Sequence, residues 1–108
     1  MAFVEVADAT EIPTGTIKSI KANDNEIIVV NYQANYYAIA QKCTHMGGNL
    51  SKGKLEGNII TCPLHGSKFD VTNGKCVQGP KIGFIKSKTG DIRTYPVKIE
   101  NGKIKIDV

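Results

Sequence analysis

Two short pairs of residues carry the chemistry this chain can do: Cys43-Thr44-His45 and Cys62-Pro63-Leu64-His65. Sixteen residues separate His45 from Cys62, and of the three cysteines and two histidines only Cys76 falls outside the pairs. Two thiolates and two imidazoles make a metal ligand set. Tetrahedral zinc takes such a set, although zinc fingers usually pair Cys with Cys and His with His. A Cys–His nucleophile pair is another reading, but it gives no reason for two copies. Glycine follows each pair, Gly47-Gly48 and Gly66. It lets backbone turn tightly and bring amides close to a bound centre.

The elements that must position these loops read as short strands divided by Gly, Asn, Asp and Pro. Strands are expected at residues 3–6, 16–21, 26–32, 36–40, 59–61, 68–71, 75–77, 95–100 and 103–108. Residues 33–35 read as a hairpin connection. Asn73-Gly74 and Asn101-Gly102 are strong hairpin signals. The last strand alternates, with Ile104, Ile106 and Val108 on one face and Lys103, Lys105 and Asp107 on the other, which requires one buried face. No segment carries a convincing helical period, so the expectation is an all-β domain. Residues 81–86 and 91–93 read as an additional hairpin around 87–90, serving either as plain surface or as a docking element. Cys76, in an apolar-alternating strand, reads as a small buried hydrophobe. Tyr32, Tyr36 and Tyr37 read as core or strand-face residues.

At 108 residues the chain is one domain, spanning 1–108. No stretch approaches the roughly 20 apolar residues of a membrane helix, and the start has neither a basic nor an apolar signal region. The expectation is a cytoplasmic protein without a membrane anchor. Thirteen of the fourteen basic residues are lysine, and the net charge is +4. The lysines are scattered and no nucleic-acid motif accompanies them, so solvated strand faces explain most and no nucleic-acid partner is expected. Lys42, Lys52, Lys54, Lys68, Lys75 and Lys81 nevertheless lie close to the Cys–His pairs. A basic rim there would steer an acidic partner.

The pattern C-x-H, sixteen residues, C-x-x-H resembles the signature of Rieske [2Fe–2S] proteins. The wider strings 43–47 and 62–67 resemble both cluster loops, Gly79-Pro80 resembles the family's proline loop, and Tyr95-Pro96-Val97 resembles the strand that follows. The interleaved Cys-His order suits a binuclear centre whose irons each draw on both loops. The resemblance covers roughly residues 2–108. It implies three antiparallel sheets, with a cluster-binding subdomain at about 42–82 inserted between base strands at about 1–41 and 83–108.

The resemblance further implies one [2Fe–2S] cluster, with Cys43 and Cys62 on one iron and His45 and His65 on the other. Neutral imidazoles in place of two thiolates raise the potential. In the family these imidazoles bind through Nδ1, and the exposed ring edge serves as electron exit and protonation site. Met46, Gly47, Gly48, Pro63, Leu64, Gly66, Ser67, Phe69 and Pro80 would surround the cluster and tune it. Gly48 and Leu64 stand where respiratory Rieske proteins carry a disulfide, and Phe69 stands where they carry a tyrosine. Ser67 is kept. The implied potential is at the low end of the range, about −150 mV. The implied function is a soluble ferredoxin, not itself an enzyme, passing one electron from a flavoprotein reductase to a terminal oxygenase or similar redox acceptor. A small subunit of a nitrite-reductase-like enzyme and a zinc-stabilised interaction module are the alternatives. Many bacterial Rieske ferredoxins are acidic, and this chain is basic.

Overall fold

The computed structural model describes residues 2–43, 48–64, 66–78, 81–82, 85–86 and 90–108, with the backbone alone at 81–82 and 85–86. Strand β1 (Phe3–Asp8) is followed by β2 (Ile17–Ala22), β3 (Asn25–Tyr32) and β4 (Asn35–Ala40). The pairs Asn23-Asp24 and Gln33-Ala34 join the last three as two-residue turns, all four residues at positive φ. That backbone twist matches the twist of the strands it joins. With β11 (Thr94–Tyr95) these strands form a sheet in the order β11-β4-β3-β2.

This sheet is the middle layer. Ile27, Ile28, Val29 and Val30 of β3 are all fully buried. Alternate residues of a strand face opposite ways, so an unbroken apolar run is what a strand covered on both sides requires. Ile28 and Val30 join Ile39, Leu50, Ile60, Phe69, Val71 and Ile92 in one core, together with Cys43 and Cys62. Ile27 and Val29 join Ala7, Ile12, Ala38, Tyr95, Ile104 and Ile106 in the other.

The second layer is a meander of β5 (Lys54–Glu56), β6 (Ile59–Thr61), β7 (Lys68–Asp70) and β8 (Cys76–Gln78), hydrogen-bonded in that order. A two-residue ladder pairs β9 (Lys81–Ile82) with β10 (Ile85–Lys86). The third layer joins β1, β13 (Lys103–Asp107) and β12 (Val97–Glu100) in the order β1-β13-β12. The expected alternation of β13 is present: Ile104 and Ile106 are fully buried, while Lys103, Lys105 and Asp107 are half-buried. The fold is therefore all-β, with three antiparallel sheets and the small β9–β10 ladder.

Two expectations are corrected. Residues 95–100 are not one strand. Pro96 has no N–H to give a ladder, and it marks the point where the chain passes from β11 in the middle sheet to β12 in the third. Its carbonyl is still used, accepting from the Asp107 N–H at 3.0 Å. The additional hairpin is also placed differently. Residues 81–82 pair with 85–86 rather than with 91–93. Residues 91–93 are tied into the body instead: the Ile92 N–H donates to the Gly74 carbonyl at 2.7 Å, and the Ala40 N–H to the Arg93 carbonyl at 2.9 Å. Residues 87–89 lie outside the described residues.

Candidate metal centre

The two cysteine loops are closed the same way. The Cys43 N–H donates to the Gly48 carbonyl at 2.7 Å, and the Cys62 N–H donates to the Ser67 carbonyl at 2.7 Å. Each bond spans five residues and fixes where the cysteine leaves its strand. The first loop is held from behind by a bridge between Lys42 and Asn49 and by the Leu50 N–H donating to the Gln41 carbonyl at 2.8 Å. Asn49 then caps the short 3-10 turn Leu50–Lys52, its Oδ1 accepting from the Ser51 N–H at 2.9 Å. The second loop springs directly from β6, and the Gly66 N–H donates to the Cys62 carbonyl at 3.1 Å.

The loops meet at Gly48. A Cβ added there would lie 2.5 Å from Cys62 Sγ, 3.2 Å from Leu64 Cβ and 3.7 Å from Cys43 Cβ. No residue but glycine fits that close approach. Cys43 and Cys62 are therefore brought together, 3% and 1% exposed, at the edge of one apolar core. None of the three cysteines is in a disulfide. Phe69 is fully buried in the same core. Ser67 is also fully buried, and its Oγ has no hydrogen-bond partner among the described residues. An orphaned buried hydroxyl costs free energy unless something else accepts from it.

Behind the site, Gly74 at φ +77 lets β7 turn back, with its Cα close against the Ile92 carbonyl. Asp70 holds that turn. Its Oδ1 accepts from the Thr72 N–H at 2.9 Å and from the Thr72 hydroxyl at 2.6 Å. Burial works against the charge, but Thr72 and the Asn58 side chain outweigh it and hold the Asp70 carboxyl below the usual carboxylate range.

The other expected site residues divide. Pro63 is exposed, Gly66 half-buried, and Leu64 is 48% exposed, so Leu64 sits at the surface of the loops. His45, Met46, Gly47, His65 and Pro80 lie outside the described residues. Cys76 is half-buried rather than buried, with its Sγ 3.4 Å from the Gln78 carbonyl. The sequence reading missed Leu50, Asn49 and Ile92 as supports of the site. Their signals are an Asn before a short polar turn and an isolated Ile between polar residues.

Residues 2–96 match the family described as Rieske [2Fe-2S] domain. The chain belongs to the Rieske [2Fe–2S] domain family. It is 38% identical over 104 residues to the ferredoxin component of the naphthalene 1,2-dioxygenase/salicylate 5-hydroxylase systems of a Ralstonia species, covering 96% of this chain and 93% of that one. Among solved structures it superposes on the ferredoxin of carbazole 1,9a-dioxygenase from Nocardioides aromaticivorans IC177 with a TM-score of 0.83 and 25% identity, covering 98% and 97%. A chain in the complex of reduced oxygenase and oxidised ferredoxin of carbazole 1,9a-dioxygenase gives a TM-score of 0.85 at 27% identity, covering 96% and 91%.

The cofactor of this Rieske domain is a [2Fe–2S] cluster. The described residues fit such a group: two buried thiols converge at the glycine, and an orphaned hydroxyl faces the need for an acceptor. Among the described residues no helix is long and apolar enough to cross a membrane.

Proposed function

We infer that this protein is a ferredoxin: a cytoplasmic one-electron carrier that takes an electron from a reductase, of flavoprotein type, and delivers it to a terminal oxygenase. The ferredoxin components, and the one chain of a ferredoxin–oxygenase complex, that it matches over more than nine-tenths of their length support this. The single observation that carries it in this chain is the meeting of Cys43 and Cys62 at Gly48, at the edge of an apolar core. A carrier needs a buried, rigid site near the surface and no open position for chemistry. In this reading the chain is an electron-transfer component and not itself an enzyme.

The ligands in this reading are Cys43, His45, Cys62 and His65. A [2Fe–2S] cluster with two imidazoles supplies one-electron chemistry at a higher potential than an all-thiolate one. The chain's own residues do the rest. The paired Cys N–H to carbonyl bonds hold both loops in place without ligand reorganisation. Ile60, Leu50 and Phe69 exclude water from the inner side. The Ser67 hydroxyl, buried five residues after Cys62 and without a partner among the described residues, would donate to the bound group and stabilise added negative charge. The cluster-binding subdomain is the segment at about 42–82, and the rest forms the base.

The test is the EPR spectrum of the dithionite-reduced protein, with iron and zinc counted on the same sample. An S = 1/2 signal with an average g below that of an all-thiolate [2Fe–2S] protein, and two irons per chain, is the expected outcome for mixed histidine and cysteine ligation. A signal matching an all-thiolate [2Fe–2S] protein would overturn the mixed ligand set: it would draw in Cys76 and, because the chain has three cysteines, a fourth thiolate from outside it. One zinc and no signal would make the protein a zinc-stabilised interaction module and end the carrier reading.

A further inference from the structure

The molecule carries its excess charge at one end. Residues 41–82 hold six lysines against two acids, Glu56 and Asp70, while the remaining residues hold eight bases against eight acids. The entire net charge of +4 thus belongs to the segment that contains the cysteine loops. The base neutralises itself locally: Lys18 pairs with Glu11 at 2.7 Å, Lys105 and Lys98 with Glu100 at 3.0 and 3.4 Å, and Lys103 with Asp8. At the loop end, Lys42, Lys52, Lys68 and Lys75 have no ion pair among the described residues, and Lys54 has only an exposed contact with Glu56 at 3.9 Å.

The register of the second sheet sharpens this. Lys54 stands opposite Thr61, and Thr61 opposite Lys68, so two lysines flank the residue that precedes Cys62. Directly opposed residues share a face. That face is turned away from the core, because Leu55, Ile60 and Phe69 form the neighbouring, inward row. The two acids share this face but stand two residues further from the cysteine loop, in the row of Glu56, Ile59 and Asp70. Asp70 is already engaged by Thr72. Lys42 lies beside Asp24 and Glu26, so Lys54 and Lys68 carry the case. Leu64, half exposed and against Gly48, supplies an apolar point on the loop that leaves the same strand three residues after Thr61.

We propose that this lysine-rimmed face beside Leu64 is the docking surface for a redox protein whose own electron-transfer face is acidic. This rests on the electron-carrier reading and adds to it the chemistry of the partner. Opposed charge steers encounter, raises the association rate, and fixes which end of the carrier arrives first. The apolar point needs no charge and supplies close contact once the faces meet.

The probes are an acidic blue-copper protein and a basic c-type cytochrome, each used as oxidant of the reduced holoprotein in stopped flow. With the acidic acceptor the second-order rate should fall about tenfold or more between about 0.01 and 0.3 M ionic strength, as screening shortens the reach of the charges. With the basic acceptor it should rise. Lys54→Gln with Lys68→Gln should slow the acidic acceptor severalfold at low salt and flatten its salt dependence. Lys18→Gln with Lys98→Gln removes the same charge from the base and should change neither by more than about twofold. Equal effects of the two pairs would make net charge, not this face, responsible and overturn the proposal. Preference for the basic acceptor would overturn it as well. So would salt-sensitive binding to DNA or phosphatidylserine vesicles that Lys54→Gln with Lys68→Gln abolishes while leaving the acidic-acceptor rate unchanged. Absence of the reduced EPR signal would instead sink the carrier reading itself, so the two failures are distinguishable.

Discussion

The middle sheet covers two cores, one on each face, and they differ in what completes them. The core shared with the third sheet is filled by aliphatic side chains, Ile27, Val29, Ile104 and Ile106, and by Tyr95. The core shared with the second sheet has the same kind of filling at its centre, but its edge is made of two thiols, a glycine in contact with one of them, and a hydroxyl with no partner among the described residues. The first is finished by the polypeptide. The second is finished by what the loops hold. One β-strand, β3, supplies alternate residues to both, so the site is mounted on an element that the rest of the molecule already fixes.

The largest expected effect separates the two cores. Ile104→Ala leaves a hole in a closed apolar core and should cost about 2–5 kcal/mol of global stability, while iron content in the folded fraction stays unchanged. Denaturant unfolding with iron analysis measures both. If iron is lost in step with stability, the two cores are one cooperative unit and the contrast fails.

Gly48→Ala is the converse. Its Cβ would lie 2.5 Å from Cys62 Sγ, so the loops must move apart at a cost of about 1–3 kcal/mol. That cost should fall on iron retention and on amide protection at 54–78, with protection at 27–30 and 104–106 kept. Full iron retention with unchanged protection would show that the loops are not held as closely as this contact implies.

How far the sequence exposed this arrangement depends on the element. The family was legible because the spacing of the two Cys–His pairs has few other uses, and β13 was legible because five residues suffice for a period of two. Strand β5 was not, because Lys54-Leu55-Glu56 offers one apolar residue and no period. The exchange of sheets at Pro96 was hidden because strands on either side of it read as one run. Only the pairing partners, Ala38 for Tyr95 and Ile106 for Val97, separate them. Gly48 was read as the place of an absent cysteine. Its packing against Cys62 Sγ is a tertiary fact that no local pattern encodes.

Ser67→Ala tests whether the orphaned hydroxyl belongs to the site rather than to the fold. The hydroxyl has no partner among the described residues, so its loss should leave the stability of the metal-free protein unchanged or slightly raised. In the holoprotein it should lower the midpoint potential by roughly 60 mV, the equivalent of one hydrogen bond of about 1.4 kcal/mol for a one-electron couple. Protein-film voltammetry reads the shift. An unchanged potential would assign Ser67 to packing alone.

The smallest effect concerns the turn behind the site, where charge rather than metal does the holding. Asp70 accepts from Thr72 twice, and its carboxyl sits below the usual range when folded. The folded protein therefore binds that proton less readily than the unfolded chain does. Stability from this group is complete above the unfolded carboxylate pKa of about 4 and is lost as pH falls through the lower, folded value. Asp70→Ala should cost about 1 kcal/mol at pH 7, and the gap between variant and parent should close as the pH is taken well below 4. The measurement is urea unfolding of the metal-free protein across that range, because acid releases the cluster and would otherwise mask the turn. A gap that persists unchanged in acid would mean that the turn is held by the shape of the side chain, with Gly74 and the Ile92 N–H bond to its carbonyl sufficient to fix it without the charge.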